Sequence, residues 1–342
     1  MQPQPSSDGV RRVTNDTLEL TPRTVFDGAA LEFDFPSLRI GIAEYDEGPT
    51  GCTVFHFPPG STAAVDVRGG AHATIYTEAL HLPGWPLDAL CFAGGSMYGL
   101  EASTGVTAEI FAQRGYSTEW DEIALVSGGI IFDYGARETA VYPDKALGRA
   151  ALRAAQPGRF PIGPRGAGRS ATVGKLLRDR YEREPAGQGA AFGHVGDTSV
   201  GVFTVVNAVG GIVDRSGRVV RGHRDARTGE RVRAADGLRT MAAEAAPPPS
   251  GNTTLTLLVT NQRTSSFYLL QTARQVHASM ARAMDPFHTV SDGDVLWAVT
   301  TNELPSSTET DRRPAIIDFD ERSLGVFASE LAWDAVLRCF AE

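Results

Sequence analysis

The segment Pro247-Pro248-Pro249-Ser250-Gly251-Asn252-Thr253-Thr254-Leu255 places a hydroxyl residue at the joint between a polar, proline-rich stretch and an alternating strand. Gly251 can take the tight turn that brings the Thr253 hydroxyl onto the Asn252 carbonyl, while the strand behind holds Thr253 fixed. Attack there would shift the acyl group from nitrogen to oxygen, and water would then free a new N-terminus on Thr253. The released α-amine has an ordinary pKa of ~8, so one residue would supply both nucleophile and base near neutral pH. A second reading of the same residues stays open, in which Thr253 simply begins a strand.

Other stretches imitate catalytic motifs and fail on spacing. Gly168 to Lys175, GRSATVGK, has five residues between its glycines where a phosphate-binding loop has four, and Leu176 stands where a hydroxyl should follow the lysine. Gly94-Gly95-Ser96-Met97-Tyr98-Gly99 has Tyr98 where a nucleophile elbow needs glycine, and reads as a turn into a helix. Asn252-Thr253-Thr254 is a glycosylation sequon only in a secreted chain. The seven histidines form no H-x-x-x-H pair, and Cys52, Cys91 and Cys339 lie far apart among apolar neighbours. Neither a metal nor another cofactor is implied.

A formal charge of -9 and a pI near 5.4 exclude a protein built to neutralise phosphates, so no nucleic-acid partner is expected. No stretch approaches the ~20 apolar residues that cross a bilayer, and Met1 to Asp8 (MQPQPSSD) lacks a basic then apolar leader. A cytoplasmic protein without a membrane partner is the expectation. Among 32 basic residues only Lys145 and Lys175 are lysines. Lysine is a compact charge whose pKa moves on burial, so each survivor invites a reason.

The elements that must position these groups can be read from pattern. Residues 1–30 read as a loose arm, with order beginning near Phe33. Strands are expected at Leu38 to Ala43, Cys52 to Phe55, Ala89 to Ala93, Ile123 to Val126 and Ile130 to Phe132. More follow at Thr198 to Val206, and at Gly211 to Asp214 and Arg218 to Val220 around the turn Arg215-Ser216-Gly217. Residues 222–250 read as a flexible linker through which no strand or helix continues. Beyond it come a strand Thr254 to Thr260 and a helix capped by Ser265 with Leu269, Ala273, Val276 and Met280 on one face. A strand Val295 to Thr300 and a helix from Ser323, with Leu324, Phe327, Ala328, Leu331 and Ala335 on one stripe, complete the chain. Residues 253–342 offer too few partners for their apolar faces, so 31–342 is expected to form one α/β domain of packed sheets with helices outside.

Several blocks in the same order resemble one family: Phe33 to Gly51 (FDFPSLRIGIAEYDEGPTG), Phe92 to Ala102 (FAGGSMYGLEA), Ala140 to Ala151 (AVYPDKALGRAA), Gly251 to Asn261 (GNTTLTLLVTN) and Gln275 to Thr301, which holds PFHT and DGDVLWAVTT. They are similar to the nylon-oligomer hydrolases, 6-aminohexanoate-oligomer endohydrolases within the wider L-aminopeptidase/D-esterase family of N-terminal-nucleophile hydrolases. The resemblance covers nearly everything after the arm and reverses the balance at Thr253 towards self-cleavage. It implies a four-layer α/β/β/α sandwich built jointly by a large chain, 1–252, and a small chain, 253–342. It also implies assembly of such heterodimers into a tetramer, and an amide-oligomer substrate.

The resemblance also implies the roles of individual residues. Thr253 falls on the nucleophile, after the cut at Asn252. Asn207 would donate its amide to the oxyanion, and Lys175 would set a positive charge beside the nucleophile. Asp292 and Asp294 would face the Thr253 amine and couple to Lys175. Tyr142 would line the pocket; Lys145, by its own place in a helix expected after Pro143, reads as structural. The aminopeptidase relatives commonly carry serine as nucleophile and a Ser/Glu combination at the Asp positions, so Thr253 with two aspartates points to the nylon branch. The rival readings are an aminopeptidase or amidase on short peptides, β-peptides or D-amino-acid amides, and an acyltransferase. The stretches 61–88 and 218–250 match that branch less clearly, and these loops are expected to shape substrate access.

Overall fold

A computed structural model describes residues 12–82, 84–177, 180–240, 251–304 and 321–341. The elements that build the site are β1 (Arg39–Tyr45), β2 (Thr50–Val67), β3 (Leu87–Ala93), α1 (Glu101–Gln113), β4 (Val126–Ile130) and α2 (Lys145–Arg153). They continue with β5 (Gln188–Val195), β6 (Thr198–Asn207), β7 (Thr253–Gln262), α3 (Ser266–Ser279), β8 (Val295–Leu304) and α4 (Glu321–Arg338). The strands run in the spatial order β5-β6-β7-β8-β2-β3-β4, with β1 beside the first half of β2. The fold is mixed α/β, as expected. Among the described residues no helix is long and apolar enough to cross a membrane.

Strand β2 is the hinge of the sheet. Its first half pairs with β1 and β3, and its second half, past Pro58-Pro59-Gly60, pairs with β8. The sheet therefore folds over itself, and the side chains caught between its halves form the central core. Phe55, Phe92, Phe203 and Trp297 lie there, with ring centroids 5.3 Å apart for Phe55 and Phe92 and 5.4 Å for Phe92 and Trp297. Trp297 places its only polar atom by donating Nε1–H to Ser127 Oγ at 3.0 Å. Truncating such a ring costs about 3–5 kcal/mol.

The outer faces are covered by helices. Ala102, Val106 and Leu147 of α1 and α2 pack with Val54 and Cys91 on one side, and Leu269, Ala273, Ala332 and Ala335 of α3 and α4 pack with Val202 and Leu258 on the other. Ser265 caps α3, its Oγ accepting the Tyr268 N–H at 3.3 Å, and the four residues of the expected face are all buried. Lys145 opens α2, behind the cap Asp144. The three cysteines are free and buried. Strand β7 is buried on both faces: Leu255, Leu257 and Val259 enter the central core, and Thr256 on the other face meets Thr204 Oγ1 at 3.0 Å.

Three expectations change. The two strands foreseen at 123–126 and 130–132 are one strand, β4, running through Gly128 and Gly129. Glycine is required at 129, because a Cβ there would lie 2.9 Å from the Trp297 ring. Residues 222–240 are not free of regular structure: His223–Asp225, Arg231–Val232 and the helix Ala234–Thr240 lie there, tied down by Arg231 to Glu184 at 2.6 Å and by Arg180 to Asp225. The rest of that segment, 241–250, lies outside the described residues. Of the N-terminal arm, the described part from residue 12 onward is docked, with Ala30–Glu32 paired to Arg159–Pro161 and the Val13 carbonyl accepting the Ala140 N–H at 2.8 Å.

Candidate active site

Register brings the site together. Antiparallel pairing of β6 with β7 sets Asn207, the last residue of β6, opposite Thr253, the first of β7. Parallel pairing of β7 with β8 begins at Leu255 and Val295, and a bridge between Asn252 and Asp292 continues it backwards. Asp292-Gly293-Asp294 is therefore delivered alongside Asn252-Thr253-Thr254. The lysine arrives from the loop after the short strand Thr172–Val173, its backbone N–H held by the Val209 carbonyl at 2.9 Å.

At the centre, Thr253 Oγ1 donates to the carbonyl oxygen of Asn252 at 2.6 Å. The same oxygen accepts the Gly293 N–H at 2.8 Å. Gly293 has no room for a side chain, since a Cβ would stand 2.7 Å from Thr253 Oγ1. Gly251 must also be glycine: its φ of +55° lies in the left-handed region, and a Cβ would come within 2.2 Å of Phe132. The turn that presents the Asn252 carbonyl to the threonine hydroxyl thus needs glycine on both sides of it.

One residue upstream, the Gly251 carbonyl meets two donors, Lys175 Nζ at 3.3 Å and Asn207 Nδ2 at 3.4 Å. Lys175 Nζ also donates to the Asn207 carbonyl at 2.8 Å, and Asn207 Nδ2 to the Phe132 carbonyl at 3.0 Å. The Asn207 side chain is fixed from its other end, where Oδ1 accepts the Thr172 N–H at 3.1 Å. Burial lowers the Lys175 pKa to about 7, against the opposing pull of Asp292.

The two aspartates differ. Asp294 is saturated: Oδ1 accepts the Thr254 N–H at 2.7 Å, and Oδ2 accepts the His288 N–H at 3.2 Å and faces His288 Nδ1 at 2.9 Å. Asp292 uses Oδ2 for the Thr289 N–H and hydroxyl at 2.8 and 2.7 Å, and leaves Oδ1 buried without a partner. Burial, and then the Asp294 charge, raise its pKa above the ordinary carboxylate value. A carboxylate raised by burial and a lysine lowered by burial, each feeling the other's charge, form a pair whose titrations are coupled.

Thr253, Asn252, Lys175, Asn207, Asp292 and Asp294 are all brought into one buried cluster. Tyr142 is not among them. It lines an adjoining cavity, its ring 5.9 Å from that of Tyr98, and burial followed by the hydrogen bond its phenol donates to Glu101 raises that phenol to about 12. Sequence reasoning passed over His288, the Gly293 N–H and Phe132. His288 had a signal, because it stands in the PFHT block six residues before Asp294.

This arrangement sits in a chain whose residues 33–340 match the model of peptidase family S58. The chain is 47% identical over 326 residues to a 6-aminohexanoate-oligomer endohydrolase of Agromyces sp. (strain KY5R), covering 94% of this chain and 89% of that one. Its fold is similar to that of a Burkholderia sp. beta-aminopeptidase, with a TM-score of 0.63 at 17% identity over 91% of this chain and 88% of the other. It is similar also to an L-aminopeptidase D-Ala-esterase/amidase from Ochrobactrum anthropi described as a variant of the Ntn hydrolase fold, with a TM-score of 0.62 at 14% identity over 92% and 88%. The chain belongs to peptidase family S58 and is a hydrolase of amide bonds.

Proposed function

We propose that this chain cuts itself between Asn252 and Thr253 and then uses Thr253 to hydrolyse linear or cyclic 6-aminohexanoate oligomers. The observation that carries the self-cleavage is the Thr253 hydroxyl 2.6 Å from an Asn252 carbonyl oxygen already held by the Gly293 N–H. Oγ1 attacks the carbonyl carbon, and the Gly293 N–H stabilises the negative charge that grows on the oxygen. The hydroxyl proton passes through the free oxygen of Asp292 to the Thr253 nitrogen, the C–N bond breaks, and water resolves the ester. Asn252 gains a carboxyl and Thr253 a free amine.

Turnover repeats the chemistry on a substrate, with the Thr253 amine as base, Asp292 orienting it through its free oxygen and Asp294 fixing the strand beside it through the Thr254 N–H. Lys175 Nζ and Asn207 Nδ2, which hold the Gly251 carbonyl in the uncut chain, then become free to hold the acyl oxygen of the substrate. The products of the cut, 1–252 and 253–342, stay together as one domain: Leu255, Leu257 and Trp297 share a core with Phe55, Phe92 and Phe203. That shared core supports a four-layer α/β/β/α sandwich built by two chains, and the assembly of such heterodimers into a tetramer is proposed on the family resemblance alone. The substrate rests on the 47% identity to the oligomer endohydrolase.

Intact mass spectrometry beside Thr253→Ala tests the first step. Two fragments meeting at Asn252/Thr253 are expected from the parent and one chain from the variant. A parent that stays whole on prolonged incubation sinks the self-cleavage. Shorter 6-aminohexanoate products from a linear hexamer test the second, and their absence from a cut protein sinks the substrate.

A further inference from the structure

Beside the cluster lies a cavity of about 830 Å³, within the range of sites that bury a small organic ligand. Tyr98, Phe132, Tyr134 and Tyr142 give it an aromatic wall. Phe132 joins it to the chemistry, because its ring lies against Gly251 and its carbonyl takes the Asn207 amide. Another part of the wall comes from far away in sequence: Arg12, Thr14 and Asp16 of the N-terminal arm.

One side chain clasps that arm to the cavity. Asn15 Oδ1 accepts the Tyr142 N–H at 3.0 Å, and Asn15 Nδ2 donates to the Tyr142 carbonyl at 3.0 Å and to Asp144 Oδ2 at 3.1 Å. The partner is itself rigid, since Asp144 caps α2 through the Leu147 N–H at 3.0 Å and accepts the Tyr45 hydroxyl at 2.8 Å. Around the clasp the arm closes into a turn, with the Thr14 N–H on Thr17 Oγ1 at 2.8 Å and the Thr17 N–H on the Thr14 carbonyl at 3.1 Å. A segment whose composition suggests a loose tail is thus fastened along the backbone of the residue that faces the pocket.

We infer that Asn15 is a positioning residue for substrate length: by fastening the arm to Tyr142 it builds the outer wall of the cavity, which engages the repeat units of an oligomeric amide beyond the bond being cut. The oligomer's identity rests on the proposed function. Aromatic faces suit methylene runs, and the polar groups of Thr14, Arg12 and Asp16 suit the amides and charged ends between and beyond them. A short substrate fills the aromatic part alone and never reaches the arm, so length is what the clasp controls.

The test compares the parent with Asn15→Ala on the linear 6-aminohexanoate dimer and hexamer. The variant should still self-cut, keep kcat within about twofold, raise KM for the hexamer about tenfold and leave KM for the dimer unchanged. Asn15→Asp keeps the shape but sets a carboxylate against Asp144 and loses both donations, so it should raise the hexamer KM at least as far. An equal rise on both lengths, or a loss that falls on kcat, overturns the inference. Calorimetric titration of the hexamer into uncut Thr253→Ala and Thr253→Ala/Asn15→Ala needs no catalysis. Hexamer bound about tenfold less tightly by the double variant supports the clasp even if the parent fails to cut the oligomer, which would sink only the proposed function. Equal affinities, or no binding to either protein, overturn the clasp itself.

Discussion

The candidate catalytic cluster and the cavity beside it are built on opposite plans. Thr253, Asn207, Asp292 and Asp294 are 4%, 1%, 1% and 0% exposed and stand at or beside the ends of three adjacent strands. Tyr98 is 67% exposed, Tyr134 and Tyr142 are half-buried, and the remaining wall comes from the arm and the 132–142 loop. Strand register fixes the first, since a slip of one residue would turn every side chain to the other face. Loop and arm contacts fix the second, and these can change while the sheet stays as it is. On the proposed function, reaction type is set by the sheet and substrate choice by what is laid against it.

The first way to break this contrast is to remove the buried cation. Lys175→Met should slow turnover by roughly 10²–10³-fold, the usual loss of one oxyanion donor, while leaving the fold intact because the stem still fills its place. Rates of oligomer hydrolysis by the matured variant check it, and a variant that turns over at the parental rate refutes the role. A second expected effect follows from charge. With the Lys175 pKa lowered to about 7, the lysine is neutral above that value in the folded chain, so turnover should fall about tenfold per pH unit above pH 7, or about a hundredfold by pH 9. On the acid side self-cleavage should fall as Asp292 takes its proton, at a pH above the ordinary carboxylate value. Lys175→Arg keeps its charge throughout and should lose the alkaline limb even if its overall rate is lower.

The contrast also explains what could be read from the chain. The Gly251-Asn252-Thr253 joint and the scarcity of lysine are local features, and both led to residues of the cluster. The face of α3 was legible because Leu269, Ala273, Val276 and Met280 follow helical spacing and all are buried. What escaped depends on distant partners. Residues 222–240 have a linker's composition, and their order comes from Glu184 and Arg180, some forty residues upstream. The arm reads as loose because nothing near Asn15 in sequence announces Tyr142, 127 residues away. His288 becomes meaningful only once its backbone takes a left-handed φ of +58° and its ring turns onto Asp294.

His288 sharpens the comparison, because it sits where the rigid cluster gives way to a loop. Its imidazole supplies one of the two contacts on Asp294 Oδ2, and the other is its own backbone N–H. His288→Ala leaves that backbone contact and the Thr254 N–H on Oδ1, so Asp294 should stay in place but less firmly. Losing one hydrogen bond to a charged group is worth about 1.5–3 kcal/mol, part of which water entering the vacated space restores. About a tenfold fall in kcat is expected, with KM nearly unchanged. A fall in KM affinity instead would move His288 to the recognition side of the molecule.

The smallest effect belongs to the wall. Tyr142 lines the cavity, and its phenol is raised to about 12 by burial and by Glu101, so it stays protonated across the working range. Tyr142→Phe keeps the ring and its contact with Tyr98 and removes only the hydroxyl. If the sheet alone sets the chemistry, this change should raise KM about two- to fivefold, the value of one hydrogen bond to a neutral group, and should leave self-cleavage untouched. Measuring both in one preparation separates the regions directly. A Tyr142→Phe chain that matures slowly would place the phenol in the cutting step and merge the two plans. A chain that matures normally but binds the oligomer more weakly keeps them apart.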